Sequence, residues 1–196
     1  RERSTHGVTK VVLMISRGLT VTVPGKFGRF NHTDDAAVRC LSGYNIGIAP
    51  DGLEKTLMTF VDLLSSIRKS AFTEKDKGTR FENLMRAYLL TDPLYATTLK
   101  TVWLWSDFPF RKDFSGKDTG IDLVAKTVKG EYWAIQCKCF AEDAYIDKGG
   151  VDSFLSTSNK YFQDDQFRKL KFSHRLWIAT TNNWSAEAGK VLLNQD

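Results

Sequence analysis

Apolar and polar positions sort the chain into a loosely patterned first quarter and a regular remainder. Val11 to Ile15 and Leu19 to Val23 are apolar or β-branched runs around Ser16-Arg17-Gly18, the pattern of two short strands. After Pro24 the pattern dissolves into Gly, Asn, His and Asp, and Pro50-Asp51-Gly52 marks the expected boundary. Leu53, Leu57, Phe60, Val61, Leu64 and Ile67 then recur at three- and four-residue spacing, which predicts an amphipathic helix ending near Lys69. A polar linker from Thr73 to Gly78 precedes a second helix on Phe81, Leu84, Met85, Tyr88 and Leu89, which stops before Asp92-Pro93. Leu99 to Trp105 is aromatic and β-branched, a strand or a short helix.

The next stretch is the most regular. Ile121 to Val128 and Glu131 to Phe140 flank Lys129-Gly130 and predict a tight hairpin. A helix is expected from Val151 to Phe162, a nearly all-apolar strand from Arg175 to Thr181, and a last helix from Ser185 as N-cap through Leu193. Helix, strands, helix, strand, helix predicts an α/β sandwich: a central mixed β-sheet flanked by helices. The expected division is residues 1–52 as an accessory hairpin or otherwise uncertain segment, and 53–196 as one domain.

Composition narrows the class. With 196 residues, 42% hydrophobic and 26% charged, the chain has the composition of an ordinary globular domain. No apolar stretch reaches the roughly 18 residues of a membrane span, and no secretory leader is recognised, so a cytoplasmic location is expected. Cys40, Cys137 and Cys139 are too few for a disulfide framework, and Cys137-x-Cys139 lacks the second pair of a zinc knuckle. The net charge is +5, but residues 1–50 hold seven basic and three acidic residues, so most of the excess sits there and says little about partners.

The hairpin carries the chemistry. A turn between Val128 and Glu131 sets Asp122 opposite Gln136 or Cys137. Alternation projects Gln136 and Lys138 from one face, Cys137 and Cys139 from the other. A carboxylate, an amide oxygen and an ammonium then gather at the strand ends, a plausible seat for a hard divalent cation. Lys138 reads either as this charge or as an edge-strand lysine whose stem lies along the sheet. Glu82 reads equally as an i,i+4 partner of Arg86.

Gly120-Ile121-Asp122, the hairpin, and Gln136-Cys137-Lys138 resemble the PD-(D/E)XK nuclease superfamily, in the Mrr-like branch with Gln in place of the second acid. Gly78-Thr79-Arg80-Phe81-Glu82 upstream and Ile178-Ala179-Thr180-Thr181-Asn182 downstream are similar to the N-terminal nuclease domain of single-chain type I (type ISP) restriction-modification enzymes. The resemblance covers about residues 53–196. It implies a restriction-endonuclease-like fold and a metal-dependent endonuclease acting on double-stranded DNA, with Mg²⁺ or Mn²⁺ as cofactor. Asp122, Gln136 and Glu82 become the metal ligands and Lys138 the catalytic lysine. Helicase and methyltransferase domains in the same polypeptide, and paired action for a double-strand break, are further implications. Ile121 stands where the superfamily often has proline. Lys160, Arg168, Lys169, Lys171 and Arg175 are candidates to hold the DNA backbone, offset by Asp164 and Asp165. The rival readings are a catalytically silent DNA-binding or assembly module of the same fold, and a structure-selective or RNA-directed nuclease.

Overall fold

The computed structural model describes residues 9–15, 19–22, 60–114, 120–141, 143–181 and 183–193. The expected boundary near Gly52, the first helix's start at Leu53, and Cys40 lie outside the described residues.

Seven strands among the described residues make one sheet: β1 (Thr9–Ile15), β2 (Leu19–Thr22), β3 (Leu99–Leu104), β4 (Leu123–Thr127), β5 (Tyr132–Lys138), β6 (Tyr161–Gln163) and β7 (Lys169–Ala179). Their order is β2-β1-β7-β5-β4-β3, with β6 paired to β7 off this path. β7 runs parallel to both β1 and β5, and the other pairings are antiparallel, so the sheet is mixed. The two N-terminal strands are present and β1 extends the same sheet, Val11 lying beside Leu176.

The helices are α1 (Phe60–Ser70), α2 (Glu74–Thr91), α3 (Pro93–Ala96), α4 (Lys148–Ser158) and α5 (Ala186–Leu193). Strand alternation sorts side chains between two cores. Leu123, Ala125, Ile135, Cys137, Leu176 and Ile178 pack with Phe81, Met85 and Leu89 of α2. Val124, Tyr132, Ala134, Trp177 and Ala179 pack with Val151 and Phe154 of α4 and Ala188 of α5. This is helices, sheet, helices: the three-layer α/β sandwich expected. A sheet covered on both faces explains the near-continuous apolar run of β5 and the C-terminal half of β7.

The local differences have local causes. Thr73 to Gly78 is not a linker: the Thr73 hydroxyl accepts from the Asp76 N–H at 3.0 Å, and Glu74 and Asp76 fill the first turn, so α2 begins there. The stretch from Leu99 resolves as a strand, followed by a 3₁₀ turn from Trp105 to Asp107. The helix expected through Phe162 stops at Ser158, and Tyr161 to Gln163 instead pairs with Lys169 to Lys171. β7 therefore starts six residues before the expected Arg175, because its first half alternates exposed lysines with more buried residues. Ser185 caps α5 as expected, its hydroxyl accepting from the Ala188 N–H at 3.2 Å. Among the described residues no helix is long and apolar enough to cross a membrane.

Candidate active site

The β4–β5 hairpin closes at Lys129-Gly130, where Gly130 has φ +86° and donates to the Thr127 carbonyl at 3.0 Å. The register follows from that turn: Leu123 faces Ile135, so Asp122, just before β4, faces Gln136. Asp122 is held by its backbone, whose N–H donates to Ile135 O at 2.9 Å and whose carbonyl accepts from the Trp105 N–H at 2.7 Å. One carboxylate oxygen, Oδ2, accepts from the Cys137 N–H at 2.7 Å and from the Gln136 side-chain amide. Sequence reasoning missed the Cys137 amide, because a backbone donor has no residue signature.

Gly120 makes the approach possible. Its φ is +62°, and a Cβ there would lie 2.8 Å from the Phe154 backbone N, so α4 packs directly on the segment that delivers Asp122.

Gln136 is almost wholly buried, and its Oε1 has no hydrogen-bond partner among the described residues. A dry, unmatched carbonyl oxygen costs about 1–3 kcal/mol. Here it belongs to the same side chain that touches the Asp122 carboxylate. Hard cations take neutral carbonyl oxygens beside carboxylates, so these residues fit a divalent metal. Among the described residues no group of three or more His, Cys, Asp or Glu side chains could hold a metal ion.

Glu82 comes from α2 on the opposite layer and reaches the same end of the sheet. Its carboxyl is pushed up from 4.5 to about 7, first by burial and then by the Asp122 charge, with Lys138 pulling the other way. Glu82 is thus electrostatically coupled to both. The alternative pairing with Arg86 is not what forms: the Arg86 guanidinium donates to the Val102 carbonyl at 2.9 Å. Lys138, half-buried at the end of β5, lies beside Ala179 in the register. Asp122, Gln136, Lys138 and Glu82 are therefore brought together. The Cys137 thiol is held well above its ordinary range by burial, then by the charges of Asp122 and Glu82, so it is protonated and no nucleophile. Both Cys137 and Cys139 pack with the α2-side core.

The five basic residues are not part of this cluster. Lys171 precedes Ala179 by eight strand residues, about 26 Å at 3.3 Å per residue, so Lys169 and Lys171 sit at the far end of β7, with Lys160 and Arg168 beside them. Arg175 is corrected outright: it is 5% exposed, and its guanidinium donates to Ser158 Oγ at 2.7 Å, Ser158 O at 3.3 Å and Asn159 Oδ1 at 2.5 Å. It ties β7 to the end of α4 and cannot reach a DNA strand. An apolar strand gave no hint that its first cation was turned inward.

The hairpin of this α/β sandwich thus presents an acid, an amide and an amine at one end of the sheet. A family model described as restriction endonuclease (Mrr_cat_2) matches residues 90–196, and the chain belongs to that family. The match includes Asp122, Gln136 and Lys138, while Glu82 lies upstream of it. Among solved structures, the chain is similar to an ATP-dependent type ISP restriction-modification enzyme, LlaBIII, bound to DNA, at 26% identity and a TM-score of 0.50. That similarity covers 70% of this chain but 8% of the larger enzyme's chain. No protein of curated function matches.

Proposed function

We propose that this chain is a metal-dependent endonuclease module that hydrolyses phosphodiester bonds of double-stranded DNA. The observation that carries the reading is the orphaned Gln136 Oε1 beside the Asp122 carboxylate. A buried acceptor left unmatched next to an acid is explained if a cation completes it. Asp122 and the Gln136 oxygen, with Glu82 directly or through water, would hold Mg²⁺, or Mn²⁺ in its place. When bound, the ion supplies a Lewis acid for the scissile phosphate and acidifies water.

The chain's own residues do the rest. The Cys137 N–H and the Gln136 amide aim the Asp122 carboxylate before any ion arrives. Lys138 places a positive charge where the phosphoryl oxygens gain negative charge, an effect worth 10²–10³-fold for a single well-aimed donor. With one neutral ligand in the set, the site holds fewer negative charges than an all-carboxylate one, and the DNA phosphate itself adds to metal affinity. One such centre cuts one strand, so a double-strand break needs two copies or two events. The likeness to part of a much longer type ISP enzyme supports placement beside helicase and methyltransferase domains in a larger polypeptide.

The test is relaxation of supercoiled plasmid with Mg²⁺ or Mn²⁺ by the unmodified chain, Asp122→Ala and Lys138→Ala. The expected result is nicking by the first and at least a hundredfold loss in each variant. Equal activity in all three would sink the assignment. Duplex binding without any cleavage would return the chain to the silent-module class, and preference for RNA or branched substrates to the other rival.

A further inference from the structure

The β6–β7 hairpin carries exposed chemistry that neither the cores nor the candidate active site uses. β6 pairs with Lys169 to Lys171, whereas among the described residues β7 meets β5 from Phe172 and β1 from His174. The hairpin therefore extends the sheet at the end remote from Lys138, with Phe162 buried in the α4-side core. Tyr161, Lys169 and Lys171 are all exposed there, with the Lys169 and Lys171 ammoniums 4.2 Å and 5.8 Å from the Tyr161 ring centre. Residues 160–171 hold four cations and two acids, and one of those acids, Asp164, is tied to Arg168 at 2.6 Å.

The turn between the strands is built, not loose. The Asp164 carboxylate accepts from the Gln166 N–H at 3.0 Å, the Arg168 N–H at 2.9 Å and Arg168 Nε at 2.7 Å. It holds Phe167 at φ +58° with 83% of the residue exposed. Two costs fall on one residue: a left-handed backbone that a bulky side chain adopts rarely, and a hydrated phenyl ring. Glycine would satisfy the turn without either. Among the described residues no other ring packs on it, and it is presented outward.

We propose that this hairpin tip binds an unpaired stretch of DNA, with a base stacked on Phe167 and flanking phosphates on Lys169 and Lys171. An exposed aromatic face on the same hairpin as two exposed lysines matches the two surfaces a single strand offers, a base face and a phosphate. A duplex hides its base faces, and an acidic protein surface would use the lysines alone. That the nucleic acid is DNA rests on the nuclease reading above. The site lies about 26 Å along β7 from the cutting centre, so it tethers substrate and does not take part in bond breakage.

The experiment measures fluorescence anisotropy of labelled oligothymidine of about 15 nucleotides, and of a duplex of equal length, in EDTA. The proteins are the unmodified chain, Phe167→Gly, and the Lys169→Gln/Lys171→Gln double variant. The unmodified chain should favour the single strand. Phe167→Gly should weaken single-strand binding on the order of tenfold without lowering Tm, since glycine relieves the backbone. The double variant should flatten the dependence of log K on log salt by about 1.4, two contacts at roughly 0.7 each. A structural role for Phe167 would instead lower Tm and leave binding alone. Unchanged single-strand binding by Phe167→Gly, an unchanged salt slope in the double variant, or an equal response of duplex and single strand would each overturn the proposal. Because metal is chelated, tethering is read independently of cutting: failed plasmid cleavage with these losses intact refutes the nuclease reading alone, and the reverse refutes the tether alone.

Discussion

Glu82 allows a quantitative test of how the site's charges are arranged. Its carboxyl titrates at about 7 in the folded chain, against an ordinary 4.5, because it is half-buried and faces the Asp122 charge. Folding therefore raises its proton affinity. Between those two values the native state binds more protons than the unfolded one, so stability is full below pH 4.5 and is lost as pH rises through about 7. The gap corresponds to about 3 kcal/mol at 1.36 kcal/mol per pH unit. Part of the group meets solvent, and screening reduces the expected figure to about 1–2 kcal/mol. Glu82→Gln keeps the shape and removes the charge. In EDTA, urea unfolding should show the variant equal to the unmodified chain near pH 4.5, and more stable by about 1–2 kcal/mol near pH 8. A stability difference that stays constant across this range, or a variant less stable near pH 8, would mean that Glu82 does not share a crowded acidic site with Asp122.

Two further substitutions probe the frame around that site. Gly120→Ala should destabilise by about 2–4 kcal/mol, from the left-handed backbone and the collision with the Phe154 backbone, and should cut plasmid nicking because Asp122 is two residues on; a thermal melt unchanged from the parent would contradict the close approach of α4. Arg175→Ala should cost about 2–4 kcal/mol through the unmatched acceptors of Ser158 and Asn159, yet leave the salt dependence of DNA binding intact; a flattened salt slope would put its guanidinium on DNA after all.

The candidate site was legible to different depths. The Gly turn and the alternation of β4 and β5 were enough to set Asp122 opposite Gln136 or Cys137, of which the register gives Gln136, and to put the cysteines on the other face, because hairpin register is a local property. Glu82 was ambiguous, since helix spacing offers Arg86 as a partner at i,i+4 and only the packing of α2 on the sheet turns the glutamate toward Asp122. The basic residues from 160 to 175 looked like one group in the chain, but a strand spreads them. Arg175 sits inside the fold and Lys169 and Lys171 are exposed at its surface.

The chain alone determined the hairpin, most helix positions, the sandwich class and the order of acid, amide and amine, all of which follow from periodicities and turns a few residues long. Only the tertiary structure decided that β1 lies along β7, that Gln136 keeps a buried oxygen unmatched, and that the lysine-rich hairpin stands at the opposite end of the sheet from Lys138. Those outcomes depend on which strands become neighbours and how deeply each side chain is covered. They are set by contacts between segments dozens of residues apart, which no local pattern encodes.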